Sequence, residues 1–167
     1  VPFFVLLVAL VIAALVHAFV RADPPEGRGT GRPERGRVGR LLLAYVLVGY
    51  CGLPMIAVAL AAMIDPEWTI RVLQLPAYEL EGFFGWAYLG MAVIATMCLR
   101  YRGVFMVAPA TCWAIYFAGA TLVHLHQPGA GHGSGHAYVV AVLATHLSVS
   151  VVLAAGLVLS GLLLERD

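Results

Sequence analysis

Every basic residue of this chain is an arginine, and nine of the ten fall on one side of five long apolar stretches. Few folds tolerate that pattern. A hydrocarbon core about 30 Å thick needs roughly 20 helical residues to cross it. The stretches at about 1–20, 41–64, 83–99, 104–124 and 138–164 meet or approach that length. Residues of types AVILMFWYC make up 62% of the chain and charged residues only 11%. A water-soluble domain of 167 residues would have to expose much of that apolar surface, whereas a bilayer serves as its solvent. The sequence therefore predicts an all-α polytopic membrane protein, a single bundle of five transmembrane helices.

The connections give the orientation. Residues 21–40 are rich in Gly, Pro and Arg and read as a loop. Arg21, Arg28, Arg32, Arg35, Arg37 and Arg40 lie there, Arg100 and Arg102 lie in the third connection, and Arg166 follows the fifth stretch. Five crossings put all nine on one side and leave only Arg71 on the other. The positive-inside rule then places the arginine side in the cytoplasm, with the N-terminus outside and the C-terminus inside. Val20-Arg21-Ala22 before Asp23 loosely resembles a leader cleavage site. Cleavage there would leave the arginine loop outside, against the charge rule, so the first stretch is read as a span.

Local signals refine the outline. Asp65-Pro66-Glu67-Trp68 has the form of a helix start, and Thr69–Leu75 is expected to lie as a short helix at the interface. Pro54, close after Gly49 and Gly52, predicts a kink in the second span. Ala110, Ala114 and Ala118 recur every four residues in the fourth, and Gly156 with Ser160 does so in the fifth. Such spacings favour close helix packing, within the protein or against a partner.

Candidate chemistry is sparse. No Asp, Glu, Lys or Arg sits at the centre of a span, which argues against an ion-coupled pump, since such groups mark intramembrane ion pathways. A net charge of +1 gives no basic face for nucleic acid. Cys51, Cys98 and Cys112 lie inside apolar stretches without CxxC spacing and read as small packing residues. Histidine is more suggestive. His124, His126, His132 and His136 cluster at the outer end of the fourth span and in the Gly/His loop 127–137. Neutral imidazole ligates transition ions, and His132-Gly-Ser-Gly-His136 has the flexibility to let two rings converge. A solvated polar loop is the plainer reading of the same residues. Either Glu79 or Glu81, before the third span at the outer interface, would complete such a site, and the plainer reading is a hydrated carboxylate favoured near a helix N-terminus.

His17 and His146 are the two histidines within spans. His146, about eight residues into the fifth span and so roughly 12 Å deep, suits the axial ligand of a haem or chlorophyll-type tetrapyrrole. Its plainer reading is a hydrogen bond to a neighbouring helix, beside Thr145 and Ser148.

Several short elements carry a resemblance: Pro2-Phe3-Phe4 with His17, Leu41-Leu42-Leu43-Ala44-Tyr45, Leu75-Pro76-Ala77-Tyr78-Glu79-Leu80-Glu81-Gly82, Tyr88-Leu89-Gly90-Met91 and Gly119-Ala120-Thr121-Leu122-Val123-His124. In these the chain resembles an uncharacterised family of small bacterial integral membrane proteins, over most of its length. The resemblance implies a multi-pass protein of the bacterial inner membrane and no particular activity. The function expected is that of a non-catalytic subunit or accessory factor, with membrane-protein partners or copies of itself as neighbours in the bilayer. The alternatives are a histidine site for a metal or tetrapyrrole on the outer face, and passage of a neutral solute.

Overall fold

The structure, a computed structural model, describes residues 2–20, 35–65, 67, 81–126 and 136–163. Among these residues it is all-helical. In chain order the elements are α1 (Pro2–Val20), α2 (Arg35–Val46), a π-helical turn (Leu47–Gly52), α3 (Leu53–Ile64), α4 (Glu81–Met97), a 3-10 turn (Gly103–Met106), α5 (Val107–His126) and α6 (His136–Ser160). Four segments are long and apolar enough to cross a membrane: 3–20, 36–64, 103–122 and 143–160. The apolar part of α4, Gly85–Met97, is shorter. Of the five expected crossings, four have a segment of spanning length among the described residues, and the third has only a shorter apolar helix. The expected interfacial helix at 69–75 lies outside the described residues.

Consecutive segments run antiparallel. His17 meets Tyr45 while Phe3 meets Tyr50 across α1 and the second segment. Gly85 lies against Met63 while Gly52 lies against Thr96 across α3 and α4. Trp113 reaches Met91 while Tyr116 reaches Tyr88 across α4 and α5. Phe117 meets His146 and Ala114 meets Ser150 across α5 and α6. The last helix returns against the second, with Gly156 on Leu43 and Gly39 on Ser160.

The second segment is the axis of the bundle. As α2, the π turn and α3 it runs unbroken from Arg35 to Ile64 and touches all four other segments. Its helix starts at Arg35, six residues before the expected span, so part of the arginine loop read at 21–40 is helical. The extra turns form because Gly36 and Gly39 pack against the end of α6, where Ser160 and Leu159 lie close. The kink expected at Pro54 takes the form of the π turn. Proline has no N–H for the carbonyl four residues back, and its ring crowds that carbonyl. The ladder slips to the five-residue spacing just before it, with Leu53 N–H bonded to the Val48 carbonyl.

Ends follow local chemistry. Asp65 closes α3, its N–H bonded to the Ala61 carbonyl at 2.9 Å, with its own backbone out of the helical region at φ −137° and ψ 81°, as the α-disfavouring proline that follows requires. The described part of Asp65-Pro66 therefore ends a helix as well as preceding Glu67. The fifth span was expected to reach Leu164, but α6 stops at Ser160. Gly161 takes a left-handed φ of +72°, and the Ser160 hydroxyl donates to the Leu157 carbonyl at 2.8 Å while accepting from Leu162 N–H. Ser-Gly is an ordinary C-terminal helix signal, and in this apolar context it outweighs the run of leucines that follows.

Candidate functional site: an aromatic layer around the central helix

Where the π turn passes through the bundle, rings from five segments form one connected layer. Phe3 of α1 stands edge-on to Tyr50 of the turn at 6.2 Å, and Tyr50 stands edge-on to Phe117 of α5 at 6.0 Å. Phe117 stacks on Trp113 at 5.4 Å and 25°. Tyr116 and Tyr88 of α4 complete the group, 5.0 Å apart and edge-on. On the far side the His146 ring of α6 lies 5.4 Å from Phe117. Offset and edge-to-face pairs of this kind hold geometry as well as area. In a bilayer that matters more, because lipid is as apolar as the rings and burial alone drives nothing.

The layer is tightly built. Trp113 is fully buried and its indole N–H donates to the Met91 carbonyl at 3.4 Å. Tyr50 and Cys51 are buried within the π turn. Gly52 ends the turn at the closest approach to α4, where a Cβ would stand 2.6 Å from the Thr96 hydroxyl oxygen. That hydroxyl is turned to the Ala92 carbonyl of its own helix, 2.9 Å away. Only glycine leaves this passage open.

The histidines fall into three groups. His146 belongs to the aromatic layer, half-buried, with Nδ1 buried. His17 is a structural residue: its Nδ1 lies 2.9 Å from the Tyr45 hydroxyl, tying α1 to α2. The Tyr45 partner was not foreseen, although both residues stood in the elements that carried the family resemblance. His132 lies outside the described residues, as do the side chains of His124, His126 and His136 and those of the two acids, Glu79 and Glu81. Among the described residues no three His, Cys, Asp or Glu side chains come together as a metal site. One turn along α6 from His146, Ser150 donates to the Ala114 carbonyl at 3.0 Å, tying α6 to α5.

The small-residue stripes are used inside the protein except at Ala118, which is only half-buried. Ala110 is buried, Ala114 packs on the core, and Gly156 and Ser160 are buried against α2. What the stripes did not reveal is a second set of small residues facing outward. Gly90 of α4 and Gly119 of α5 are exposed, with open space where a Cβ would stand. On α5 the same outward face carries Ala108, Cys112 and Ile115. The signal was present in the sequence, but apolar spans give no periodic polarity to say which small residues face in.

No curated protein and no solved structure matches the chain. One family does: the sequence profile of DUF6790, described as a family of unknown function, matches residues 1–164. With that match covering nearly the whole chain, this apolar helical bundle belongs to the DUF6790 family.

Proposed function

We propose that this protein is a non-catalytic, membrane-embedded subunit or accessory factor that binds another membrane helix through outward faces of α4 and α5. The observation that carries this reading is a contrast among its helical glycines. Gly39, Gly52 and Gly156 are each filled against by a neighbouring segment, whereas Gly90 and Gly119 open outward. Glycine in a helix interior costs about 1 kcal/mol relative to alanine. Between membrane helices that cost is offset where a second backbone approaches closely. The chain is read as crossing the inner membrane five times, N-terminus outside. The alternating direction of its segments and the arginine partition support this, with α4 as a short crossing.

The test follows from the contrast. Mildly solubilised wild-type protein is expected to migrate on native gels above its monomer with a co-purifying membrane partner. Gly90→Leu and Gly119→Leu are expected to release it to monomer with the fold retained, since neither leucine meets an internal neighbour at its Cβ. Exposed Cys112, two turns before Gly119, offers a native thiol for cross-linking and distinguishes a second copy from a different protein. Wild type running only as a partnerless monomer would count decisively against the proposal.

Topology is checked by labelling single cysteines in cells. Position 133 is expected to react from outside and position 30 only after permeabilisation. The reverse order would refute the orientation.

A second reading keeps one support. His146 joins the aromatic layer through Phe117, and in this reading it would be the axial ligand of a haem or chlorophyll-type group. A visible absorption band lost in His146→Leu would establish this. Metal retained by the wild type and lost from a His132→Ala/His136→Ala variant would instead assign the outer loop. A colourless, metal-free preparation removes both.

A further inference from the structure

Antiparallel packing gathers the described arginines at one end of the bundle. Arg35, Arg37 and Arg40 lie in the opening turns of α2, and Arg100 and Arg102 lie in the turn between α4 and α5. The described acidic residues, Asp65, Glu67 and Glu81, lie at the opposite end, where α3 finishes and α4 begins. By sequence order alone, the five-crossing reading assigns that side nine arginines against five acids, Asp23, Glu26, Glu34, Glu165 and Asp167.

The turn after α4 is a shaped surface. Arg100 and Tyr101 N–H groups both bond to the Met97 carbonyl, each at 2.9 Å, and hold the first residues of the turn. Gly103, at a φ of +70°, reverses the chain into the 3-10 turn, whose Met106 is buried in the core and which packs on α2. Arg100, Tyr101 and Arg102 are thereby held outward and exposed. The Arg100 guanidinium carbon lies 6.0 Å from the centre of the Tyr101 ring, which pairs with Phe105 at 5.5 Å. Exposed Leu99 and Val104 flank the turn, so apolar surface resumes immediately on either side. A pair of arginines beside an aromatic pair, at the edge of an exposed apolar surface, is the composition that headgroup depth favours. Arg40 points the same way: its Nε donates back to the Gly36 carbonyl at 3.4 Å, toward the end of the bundle.

We propose that this end binds the phosphate groups of anionic phospholipids, with Arg100 and Arg102 as the phosphate-binding pair and Tyr101 with Phe105 as the interfacial anchor. Guanidinium suits the role because its fork of donors matches phosphate oxygens. A lipid is favoured over a soluble phosphate because the pair stands where the lipid-facing surface begins.

The test uses the full-length protein in mild detergent, titrated with phosphatidylglycerol, with phosphatidylcholine, and separately with inorganic phosphate, and read by native mass spectrometry and thermal stability. Wild type is expected to retain phosphatidylglycerol in preference to phosphatidylcholine. Each arginine near a headgroup is worth roughly fivefold, so Arg100→Gln/Arg102→Gln is expected to lower the preference roughly twenty-five-fold. Arg71→Gln, assigned by sequence order to the other side, is expected to keep it. Because both arginines are exposed, the double variant retains the fold, and its own melting temperature without added lipid confirms this. Equal retention of the two lipids by wild type, or an unchanged preference in the double variant, overturns the proposal. Displacement of the lipid by equimolar inorganic phosphate overturns the lipid as the ligand.

Discussion

Gly39→Ala is expected to destabilise the bundle by about 3 kcal/mol, the upper part of the range for overpacking a filled interior. A Cβ at this position meets the backbone nitrogen of Ser160 inside contact distance and stands 2.5 Å from the Leu159 carbonyl carbon. Backbone cannot rotate away as a side-chain tip does, so α2 and α6 must separate. Separation would undo the neighbouring contact of Gly156 with Leu43 and the burial of Ser160 against α2. For a chain of this size the change corresponds to a fall in melting temperature of roughly 6–12 °C. Gly90→Ala and Gly119→Ala supply the control. Each adds a methyl to open space and relieves the conformational freedom of a helical glycine, so each is expected to be neutral or to stabilise by up to about 1 kcal/mol. Thermal unfolding of the three variants in one detergent measures the contrast, and equal behaviour of all three would remove Gly39 from the role of helix crossing.

Trp113→Ala is expected to cost about 3–5 kcal/mol. The indole is fully buried, stacks on Phe117, lies 5.9 Å from Tyr88 and 5.7 Å from Tyr116, and donates to the Met91 carbonyl. In a membrane the loss arises from the cavity and broken ring contacts, since the side chain would be equally at home in lipid. Trp113→Phe should recover much of the stability, because it keeps a ring in the stack and forfeits only the N–H bond. Unfolding by sodium dodecyl sulfate titration reads both variants. A Phe variant as damaged as the Ala variant would show that the Met91 hydrogen bond, rather than the ring layer, holds α4 to α5.

The membrane class and the positions of the apolar segments were legible in the sequence because both depend on composition over long windows. Bilayer thickness converts directly into run length. The π turn was half legible: Pro54 announced a disturbance in the ladder, but whether it bends the helix or widens it depends on how Gly52 meets Thr96. Helix ends were less legible. Gly36 and Gly39 look like loop residues until the end of α6 is placed against them.

The candidate site was almost wholly illegible. His146 was singled out as a lone imidazole, and its company of Phe117, Trp113, Tyr116 and Tyr50 could not be. Those rings stand on different helices, and spans that are apolar on every side carry no periodic mark of the face turned inward. The same reason hid the partner of His17, which is Tyr45, and the division of small residues into buried ones at Gly39 and Gly156 and open ones at Gly90 and Gly119. By itself the sequence determined the solvent this chain requires, since that follows from the sum of its side chains. Tertiary structure alone decided which residues meet, because between helices in lipid the choice rests on shape, and shape is a property of pairs.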